Sequence, residues 1–361
     1  MSNKFLLGIG NIARKIKNLF IGVNGIARKV KRIYIGVADK AKLIWEAESP
    51  IDPNTGITWT ARQSAGDFRW QSVCYAENKG LFVAVAYSGT GNHVMTSPDG
   101  VNWTSRQIPA DNQWQSVCYA ENKGLFVVVS GNNNLANNCI MTSPDGINWT
   151  IGQTTDYQWK SVCYAENKGL FVVVGGSNGS PFTNCIMTSS DGIIWTLRQS
   201  STDAIWQSVC YAEDKGLFVV MGGGSGNARR IMTSPDGITW TYRQSANNGW
   251  YSVCYAENKG LFVVVGGSGL VMTSPDGITW TSKTSVVPDE YWLSVCYAEN
   301  LGLFVVVTSN AVTGNRVMAS PDGITWTLRQ SSDSTWRSIC YAENKGLFVA
   351  VGDSGRVMTS P

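Results

Sequence analysis

The sequence predicts an all-β chain: a seven-bladed β-propeller of four-stranded antiparallel blades, preceded by a small β-hairpin-rich N-terminal arm. A segment reading Trp-x-Ser-Val-Cys-Tyr-Ala-Glu-Asn-Lys-Gly-Leu-Phe-Val recurs, with few substitutions, at intervals of 42 to 47 residues. A period of this size is typical of propellers and solenoids. The seven copies begin at Trp70, Trp114, Trp159, Trp206, Trp250, Trp292 and Trp336.

Each copy contains four strand patterns, and the second copy illustrates them. Its second pattern is a continuous apolar run, as expected for a strand that is buried on both faces. Glycines in residues 121–124 and 144–146 predict two tight hairpin turns. Four antiparallel strands in each repeat are the content of one propeller blade. The predicted strands are 114–120, 125–129, 139–143 and 147–153.

The first and last parts of the predicted propeller complement each other. The last copy stops at Pro361 after its third strand, and the missing fourth pattern lies at residues 56–60. We therefore expect this N-terminal strand to complete the last blade and close the ring, which leaves no unpaired edge. An open solenoid would not need complementary fragments at its two ends. The predicted propeller domain spans residues 49–361.

The turn before each fourth strand carries a repeated Ser-Pro-Asp-Gly pattern. The example at residues 143–149 resembles the Asp-box turn of sialidase-type propellers, with one residue fewer between Asp and Gly. In that family the box is a structural turn, so the resemblance implies a fold and no catalytic role. The wider repeat also resembles propellers of phage and prophage tail-associated proteins. The copies start at Ser97, Ser143, Ser189, Ser234, Ser274 and Ser320.

Residues 1–48 form a basic arm with a shorter repeat of its own. The pattern Gly-Ile-Gly-Asn-Ile-Ala-Arg-Lys at 8–15 is echoed at 22–29. Asn24 and Gly25 between two apolar runs predict a β-hairpin rather than a helix. The segment is too small to bury a core alone. It resembles N-terminal modules of phage tail and baseplate proteins, which implies tail or baseplate proteins as its partners.

Charge separates the arm from the propeller. The arm holds 10 Lys+Arg against 3 Asp+Glu, whereas the propeller holds 19 against 23. The arm has few aromatic residues and matches no nucleic-acid module, so we expect a partner-facing surface and no nucleic-acid binding. No apolar run approaches the length of a membrane span and no signal peptide is evident, so we expect no membrane partner. A homo-oligomer is left open.

The repeat pattern argues against catalytic and metal-binding chemistry. The chain has a single His, no Cys-x-x-Cys pair, and a Glu that is repeated at every Ala-Glu-Asn turn. Catalysis needs unique side chains that are positioned relative to one another. We therefore expect no catalytic residue, cofactor or metal, and hence no enzyme. Seven of the nine cysteines share one strand position, where we expect small, buried, inert thiols. Reduced thiols suit assembly in a bacterial cytoplasm.

Two ends of the propeller differ in how much the blades vary. The Glu-Asn-Lys-Gly and Ser-Pro-Asp-Gly turns lie at one end and are nearly the same in every blade; we call this the constant end. The loops from second to third strand and the links between blades lie at the other end and differ in length and content; we call this the variable end. Because loop diversity on a rigid scaffold is typical of recognition, we expect a ligand there.

Candidate ligand-binding residues are the unique polar and aromatic residues of the variable end. The Trp that begins each copy has two open interpretations: a ring of aromatic platforms for a flat ligand, or packing between blades. The loop candidates are Tyr87, His93, Asn112, Asn132, Asn133, Asn134, Tyr157, Phe182, Asn184, Arg229, Arg230, Asn248, Tyr291 and Arg316. The Trp candidates are Trp70, Trp114, Trp159, Trp206, Trp250, Trp292 and Trp336.

These observations predict a non-enzymatic binding protein. The resemblances imply a receptor-binding component of a phage or phage-like contractile tail or baseplate, located on the particle. The arm would anchor it, and the variable end would contact a bacterial surface ligand, with glycan as one candidate. Two alternatives stay open. One is a structural tail decoration protein whose propeller docks another tail protein, and the other is a sialidase-like glycoside hydrolase.

Overall fold

The computed structural model confirms the seven-bladed propeller and its four-stranded antiparallel blades. It describes residues 56–88, 91–131, 139–152, 157–176, 185–202, 204–223, 229–245, 249–288, 290–309, 314 and 316–361, and six strands between residues 6 and 46. We number the blades 1 to 7 along the chain and their strands first to fourth. The first strands are Trp70–Ala76, Trp114–Ala120, Gln158–Ala165, Ile205–Ala212, Trp250–Ala256, Trp292–Ala298 and Trp336–Ala342.

The other strands follow in the same order in every blade. The second strands are Leu81–Ala86, Leu125–Ser130, Leu170–Gly176, Leu217–Gly223, Leu261–Gly266, Leu303–Thr308 and Leu347–Gly352. The third strands are Val94–Ser97, Ile140–Ser143, Ile186–Ser189, Arg229–Ser234, Leu270–Ser274, Val317–Ser320 and Arg356–Ser360. The fourth strands are Thr104–Arg106, Thr150–Gly152, Thr196–Arg198, Thr241–Arg243, Thr281–Thr284, Thr327–Arg329 and, for blade 7, Thr60–Gln63. Two short 3-10 turns are Glu166–Lys168 and Glu257–Lys259.

The first strands surround the propeller axis. Each contacts the first strands of the two neighbouring blades, and the first strand of blade 7 contacts that of blade 1. A serine of each first strand accepts the backbone N–H of the next blade, as Ser72 Oγ does from Val117 at 3.2 Å. The same bond is made at all seven junctions, including Val73 to Ser338 across the closure. We call this circle of bonds the serine ring.

The apolar core lies between the blades. Seven clusters of buried residues each span two neighbouring blades, and one of them joins blade 7 to blade 1. Between blades 1 and 2, for example, Val83 and Val85 share a cluster with Trp114 and Phe126. In six blades the second strand is buried beyond its first residue, which confirms the prediction of a strand covered on both faces.

The predicted closure of the ring is confirmed. Thr60–Gln63 pairs antiparallel with Arg356–Ser360, with Ala61 opposite Met358. Gly56 N–H donates to Ser360 Oγ at 2.7 Å, the same bond that Gly and Ser make within the turns of other blades. One turn is therefore assembled from two distant parts of the chain, and the chain enters the propeller at the constant end.

The Ser-Pro-Asp-Gly turns are held by their own side chains. In blade 2, Asp145 Oδ1 accepts the backbone N–H groups of Ile147 and Asn148, each at 2.8 Å. Ser143 Oγ donates to the same oxygen at 3.0 Å. These bonds keep residues 147–149 in the turn, so the fourth strand begins at Thr150 and not at the predicted residue 147.

The Glu-Asn-Lys-Gly turns link neighbouring blades at the constant end. Tyr119 Oη donates to Asn78 Oδ1 at 2.6 Å, and the backbone N–H of Asn78 donates to Glu121 Oε1 at 2.8 Å. The bond from Tyr to Asn occurs at six junctions, and at the seventh Tyr255 donates to Asp214. The repeated Asn and Glu therefore have a structural role, which explains why the turns are so uniform.

The arm contains the β-hairpins that its repeat predicts. The pairs are Leu6–Ile9 with Ile12–Lys15, Phe20–Val23 with Ile26–Lys29, and Arg32–Val37 with Lys40–Glu46. The predicted turn at Asn24 and Gly25 lies outside the described residues. The division of the chain at residue 48 stays a prediction. Among the described residues, no helix meets the length and hydrophobicity that a membrane span requires.

Acid should weaken the turns that Asp322 and its counterparts hold together. Burial alone would raise the pKa of Asp322, but hydrogen bonds from Thr325, Ile324 and Ser320 outweigh it and lower that pKa to about 2, from 3.8. A carboxylate with a lowered folded pKa stabilises the fold fully above its unfolded pKa and ceases to do so as pH falls through the folded value. We expect the temperature at the midpoint of thermal unfolding to decrease as the pH is lowered from about 4 to about 2.

The matched variant is Asp322→Asn, which keeps an oxygen acceptor and removes the charge. Its unfolding midpoint should lie below that of the unmodified chain at pH 7. The difference should be much smaller near pH 2, because the folded-state carboxyl is then about half protonated and has lost most of its stabilising effect. Differential scanning calorimetry at both pH values measures this. A difference that is the same at both would contradict a role for the charged carboxylate.

Candidate functional site

A β-bulge at the start of every first strand sets one side chain apart from the ladder. In blade 1, Trp70 pairs with Ala86 and Ser72 pairs with Val85, so Gln71 is the extra residue. The same register shift occurs in all seven blades. A bulge leaves its extra residue unpaired and re-aims the side chain. The seven bulged residues, which we call the channel-mouth ring, are Gln71, Gln115, Lys160, Gln207, Tyr251, Leu293 and Arg337.

The channel-mouth ring lines a single cavity at the variable end. The cavity has a volume of about 290 Å³, and its wall contains all seven ring residues together with Arg69 and Tyr87. The ring positions are not among the loop residues predicted to bind a ligand. A signal for the ring is nevertheless present, because the ring position holds five residue types while the Trp before it and the Ser after it are the same in every blade.

Two arginines share one carboxylate beside the cavity. Arg337 donates to Asp353 through Nε at 2.9 Å and through Nη2 at 2.8 Å. Arg69 Nε lies 3.4 Å from Asp353 Oδ1, and its guanidinium lies 4.8 Å from the centroid of the Tyr87 ring. Burial and then the charge of Arg337 lower the pKa of Arg69, and Asp353 offsets part of this. A single carboxylate thus faces two guanidinium groups.

Lys160 adds a third positive charge to the cavity. Burial lowers its pKa, and the charge of Arg69 lowers it further. Among the described residues, Lys160 has no hydrogen-bond or ion-pair partner. Gln71 Oε1 is buried and likewise accepts no hydrogen bond from the described part of the chain. The cavity therefore presents a net positive charge and an unfilled acceptor.

The seven repeated cysteines lie two positions after the serines of the serine ring. The structure corrects the prediction that these cysteines are fully buried. All seven are partly exposed, whereas Cys139 and Cys185 are buried, and all nine are free thiols. Ser72 and Cys74 are two positions apart in the strand, so alternation places both side chains on the same side. Burial still raises the pKa of the seven thiols, which keeps them protonated.

Two of the predicted loop residues lie at or near the cavity. Tyr87 forms part of its wall. Tyr291 is 46% exposed, and its ring centroid lies 6.4 Å from that of Tyr251 in the channel-mouth ring. Both therefore remain candidates for ligand contact.

His93 and Asn112 are corrections, because both are 2% exposed and cannot contact a ligand at the surface. His93 Nδ1 lies 3.2 Å from the backbone oxygen of Asn112 and 3.1 Å from Asp111 Oδ1. Its ring meets Phe68 edge-on, with centroids 5.2 Å apart. The lone histidine thus joins the packing between blades 1 and 2.

The other predicted residues do not contribute to the cavity wall. Tyr157 packs against Trp159 with ring centroids 5.4 Å apart, Arg230 donates to Thr202, and Arg316 donates to the backbone oxygen of Ser309 at 3.1 Å. The structure describes the backbone of Arg229 and not its side chain. The predicted residues that lie outside the described residues are Asn132, Asn133, Asn134, Phe182, Asn184 and Asn248.

The seven repeat tryptophans belong to the core. Each is at most 1% exposed and is a member of one cluster between two blades. No ring face is accessible, so the aromatic-platform interpretation is corrected in favour of packing. The residues in question are Trp70, Trp114, Trp159, Trp206, Trp250, Trp292 and Trp336.

Other features of the described surface are weaker candidates for a functional site. A concavity of about 710 Å³ lies between residues 61–67 and 354–356, but it draws its wall from the closure of blade 7 and its link to blade 1. Within the described ranges, no group of three or more His, Cys, Asp or Glu side chains is placed to hold a metal ion. The channel mouth is distinguished because it gathers one unlike residue from each blade.

Comparisons with known proteins identify the fold. No family model matches the chain, and no curated protein matches it. Virginiamycin B lyase from Staphylococcus aureus is similar in structure, with a TM-score of 0.67 at 10% identity over 84% of this chain and 99% of that one. A streptogramin B lyase structure has a TM-score of 0.69 at 8% identity over 85% and 98%. Such low identities show the propeller fold alone.

These neighbours correct the expectation that the chain is not an enzyme. That expectation rested on the repetition of every candidate acid, whereas both similar structures are lyases built on the same fold. A propeller can hold unique groups where its blades differ, and the channel-mouth ring is such a place. Neither neighbour is named as a tail protein or a sialidase, so those two resemblances stay predictions.

Asp353 should hold the charges at the channel mouth together. In Asp353→Asn, Arg337 loses a charge-assisted bidentate partner and faces two other cations. The side chains of Arg337 and Asp353 are 19% and 29% exposed, so we expect a loss of about 1–2 kcal/mol in the free energy of unfolding. Urea denaturation measures it.

The matched control is Asp333→Asn. Asp333 lies 3.4 Å from Arg316, and its side chain is 47% exposed, so solvent screening should hold the loss below about 0.5 kcal/mol. Equal losses in the two variants would contradict the role assigned to Asp353.

Proposed function

We propose that this chain is a binding protein that recognises its ligand at the variable end of the propeller. The observation that carries the proposal is the channel-mouth ring, where unlike residues from seven near-identical blades line one cavity. Packing does not require this diversity, because the neighbouring Trp and Ser already make the contacts between blades. Diverse side chains on a rigid scaffold are the usual basis of recognition.

The proposal extends to a setting in which the arm anchors the protein. The chain enters the propeller at Gly56, at the end opposite the channel mouth, so an anchor formed by residues 1–48 would leave the cavity free. We propose a tail or baseplate protein of a phage or phage-like particle as the anchor and a bacterial surface glycan as the ligand. Docking of the channel mouth onto another tail protein is the competing outcome.

A lyase activity at the same cavity is the second candidate. It is favoured by Lys160, a partly buried amine whose pKa is lowered by burial, in a fold that two lyases share. Perturbed amines in cavities are candidates for proton transfer. Mass spectrometry of virginiamycin B incubated with the chain tests this. Turnover that Lys160→Gln abolishes would favour catalysis over binding.

Replacing the unlike residues of the channel-mouth ring with one residue type should weaken polysaccharide binding. The variant changes Lys160, Tyr251, Leu293 and Arg337 to Gln, the residue that blades 1, 2 and 4 already carry at this position. With the chain immobilised through its N-terminus on an array of bacterial surface polysaccharides, we expect binding to weaken at least about tenfold, because hot-spot side chains carry most of the affinity.

The control variant changes the same number of residues at the constant end. Lys79, Lys123, Lys168 and Lys215 become Gln; Leu301 stands at the equivalent position in blade 6, so the turn accepts a neutral side chain. This variant should bind the polysaccharide array as well as the unmodified chain. The proposal is overturned if the unmodified chain binds no polysaccharide, or if both variants lose binding equally.

A further inference from the structure

We propose that the channel mouth binds an acidic sugar residue, a saccharide unit that carries a carboxylate. This inference rests on the proposed function and names the chemical class of its ligand. It is drawn from three properties of the cavity: its positive charge, its glutamine side chains, and its apolar wall and size.

The positive charge of the cavity favours an anionic ligand. Arg69, Lys160 and Arg337 line it, whereas the adjacent carboxylate of Asp353 already accepts two hydrogen bonds from Arg337. Arg69 Nε forms an ion pair with Asp353 at 3.4 Å but donates no hydrogen bond to any described residue. Lys160 has no partner in the same part of the chain. Partly buried N–H donors with a positive charge are stabilised most by a charged oxygen acceptor. A carboxylate supplies two such oxygens.

The glutamines of the channel-mouth ring favour a ligand that carries hydroxyl groups in addition to its anionic group. Gln71, Gln115 and Gln207 contribute three amides to the wall, and each amide can both donate and accept. Gln71 Oε1 is buried and accepts no hydrogen bond from the described residues. A ligand with a carboxylate alone would leave this oxygen unsatisfied, which costs free energy. A ligand that also carries hydroxyl donors would not.

The remaining wall and the volume suit one sugar ring. Tyr87, Tyr251 and Leu293 give the cavity an apolar side, and a tyrosine combines an apolar ring with a polar tip. A volume of about 290 Å³ lies at the lower end of small-molecule pockets, which begin near ~300 Å³. The cavity therefore fits a single terminal or branching unit rather than an oligomer.

An extended polyanion fits this site less well. The propeller carries 19 Lys+Arg against 23 Asp+Glu, and the three cations are enclosed in one cavity. Nucleic-acid backbones are bound by cations spread along a track or a face. The enclosed arrangement favours a single carboxylate that enters the mouth from the variable end.

The test compares methyl glucuronide with methyl glucoside, because the two differ in one carboxylate. Calorimetric titration of the full chain at low ionic strength should show glucuronide binding at least about tenfold tighter, the difference that one charge-assisted hydrogen bond can supply. Lys160→Gln should remove most of this preference. Added salt should weaken glucuronide binding more than glucoside binding.

The matched control is Lys123→Gln, which removes an equal charge at the constant end and should leave the preference unchanged. Equal affinity for the two sugars, or an equal effect of the two lysine variants, would overturn the proposal. Inorganic phosphate that binds as tightly as methyl glucuronide would show a simple anion site and overturn the sugar assignment.

The outcomes separate this inference from the proposed function. Polysaccharide binding that depends on the channel-mouth ring, without a preference for glucuronide, would overturn the acidic-sugar assignment and leave the binding function intact. A glucuronide preference that Lys160→Gln removes, with no binding to any polysaccharide, would support the site and overturn its role in surface recognition.

Discussion

Pairing of Thr60–Gln63 with Arg356–Ser360 is the interaction on which the rest of the structure depends. Without it, blade 7 would have three strands and an exposed edge. The serine ring and the seven clusters between blades need a neighbour on both sides of every blade, so they can be complete only in a closed circle. The cavity has the same requirement, because its wall takes one residue from each of seven first strands around a common axis.

The closed ring gives its two ends different freedom to vary. At the constant end, bonds such as those joining Tyr119, Asn78 and Glu121 tie each blade to the next, so a change in one turn would break a contact with its neighbour. At the variable end, the bulge takes one residue of each first strand out of the ladder, so that residue can change without cost to pairing. Unique chemistry can therefore collect at the channel mouth, for binding or for catalysis, while the repeats stay alike.

Most of the fold was predictable because its signals are local and repeated seven times. Strand patterns, turn glycines and complementary fragments predicted the blades, the doubly buried second strands and the closure. The late start of the fourth strand at Thr150 was not predictable from apolar patterning, since side-chain bonds of Asp145 extend the turn. The burial of His93 and the partial exposure of Cys74 depend on packing between blades, which a single repeat does not reveal. The sequence shows that the position of the channel-mouth ring varies between repeats. That the seven residues line one cavity depends on a β-bulge, which the sequence pattern does not predict.

Amide hydrogen exchange at residues 60–63 tests the closed ring most directly. In the closed propeller, the amides of this strand that face Arg356–Ser360 should exchange as slowly as the corresponding amides of Thr104–Arg106, the fourth strand of blade 1. Exchange at the rate of unpaired chain at residues 60–63, with the other fourth strands protected, would show an open blade 7. The common axis, the cavity and the separation of the two ends would then no longer hold.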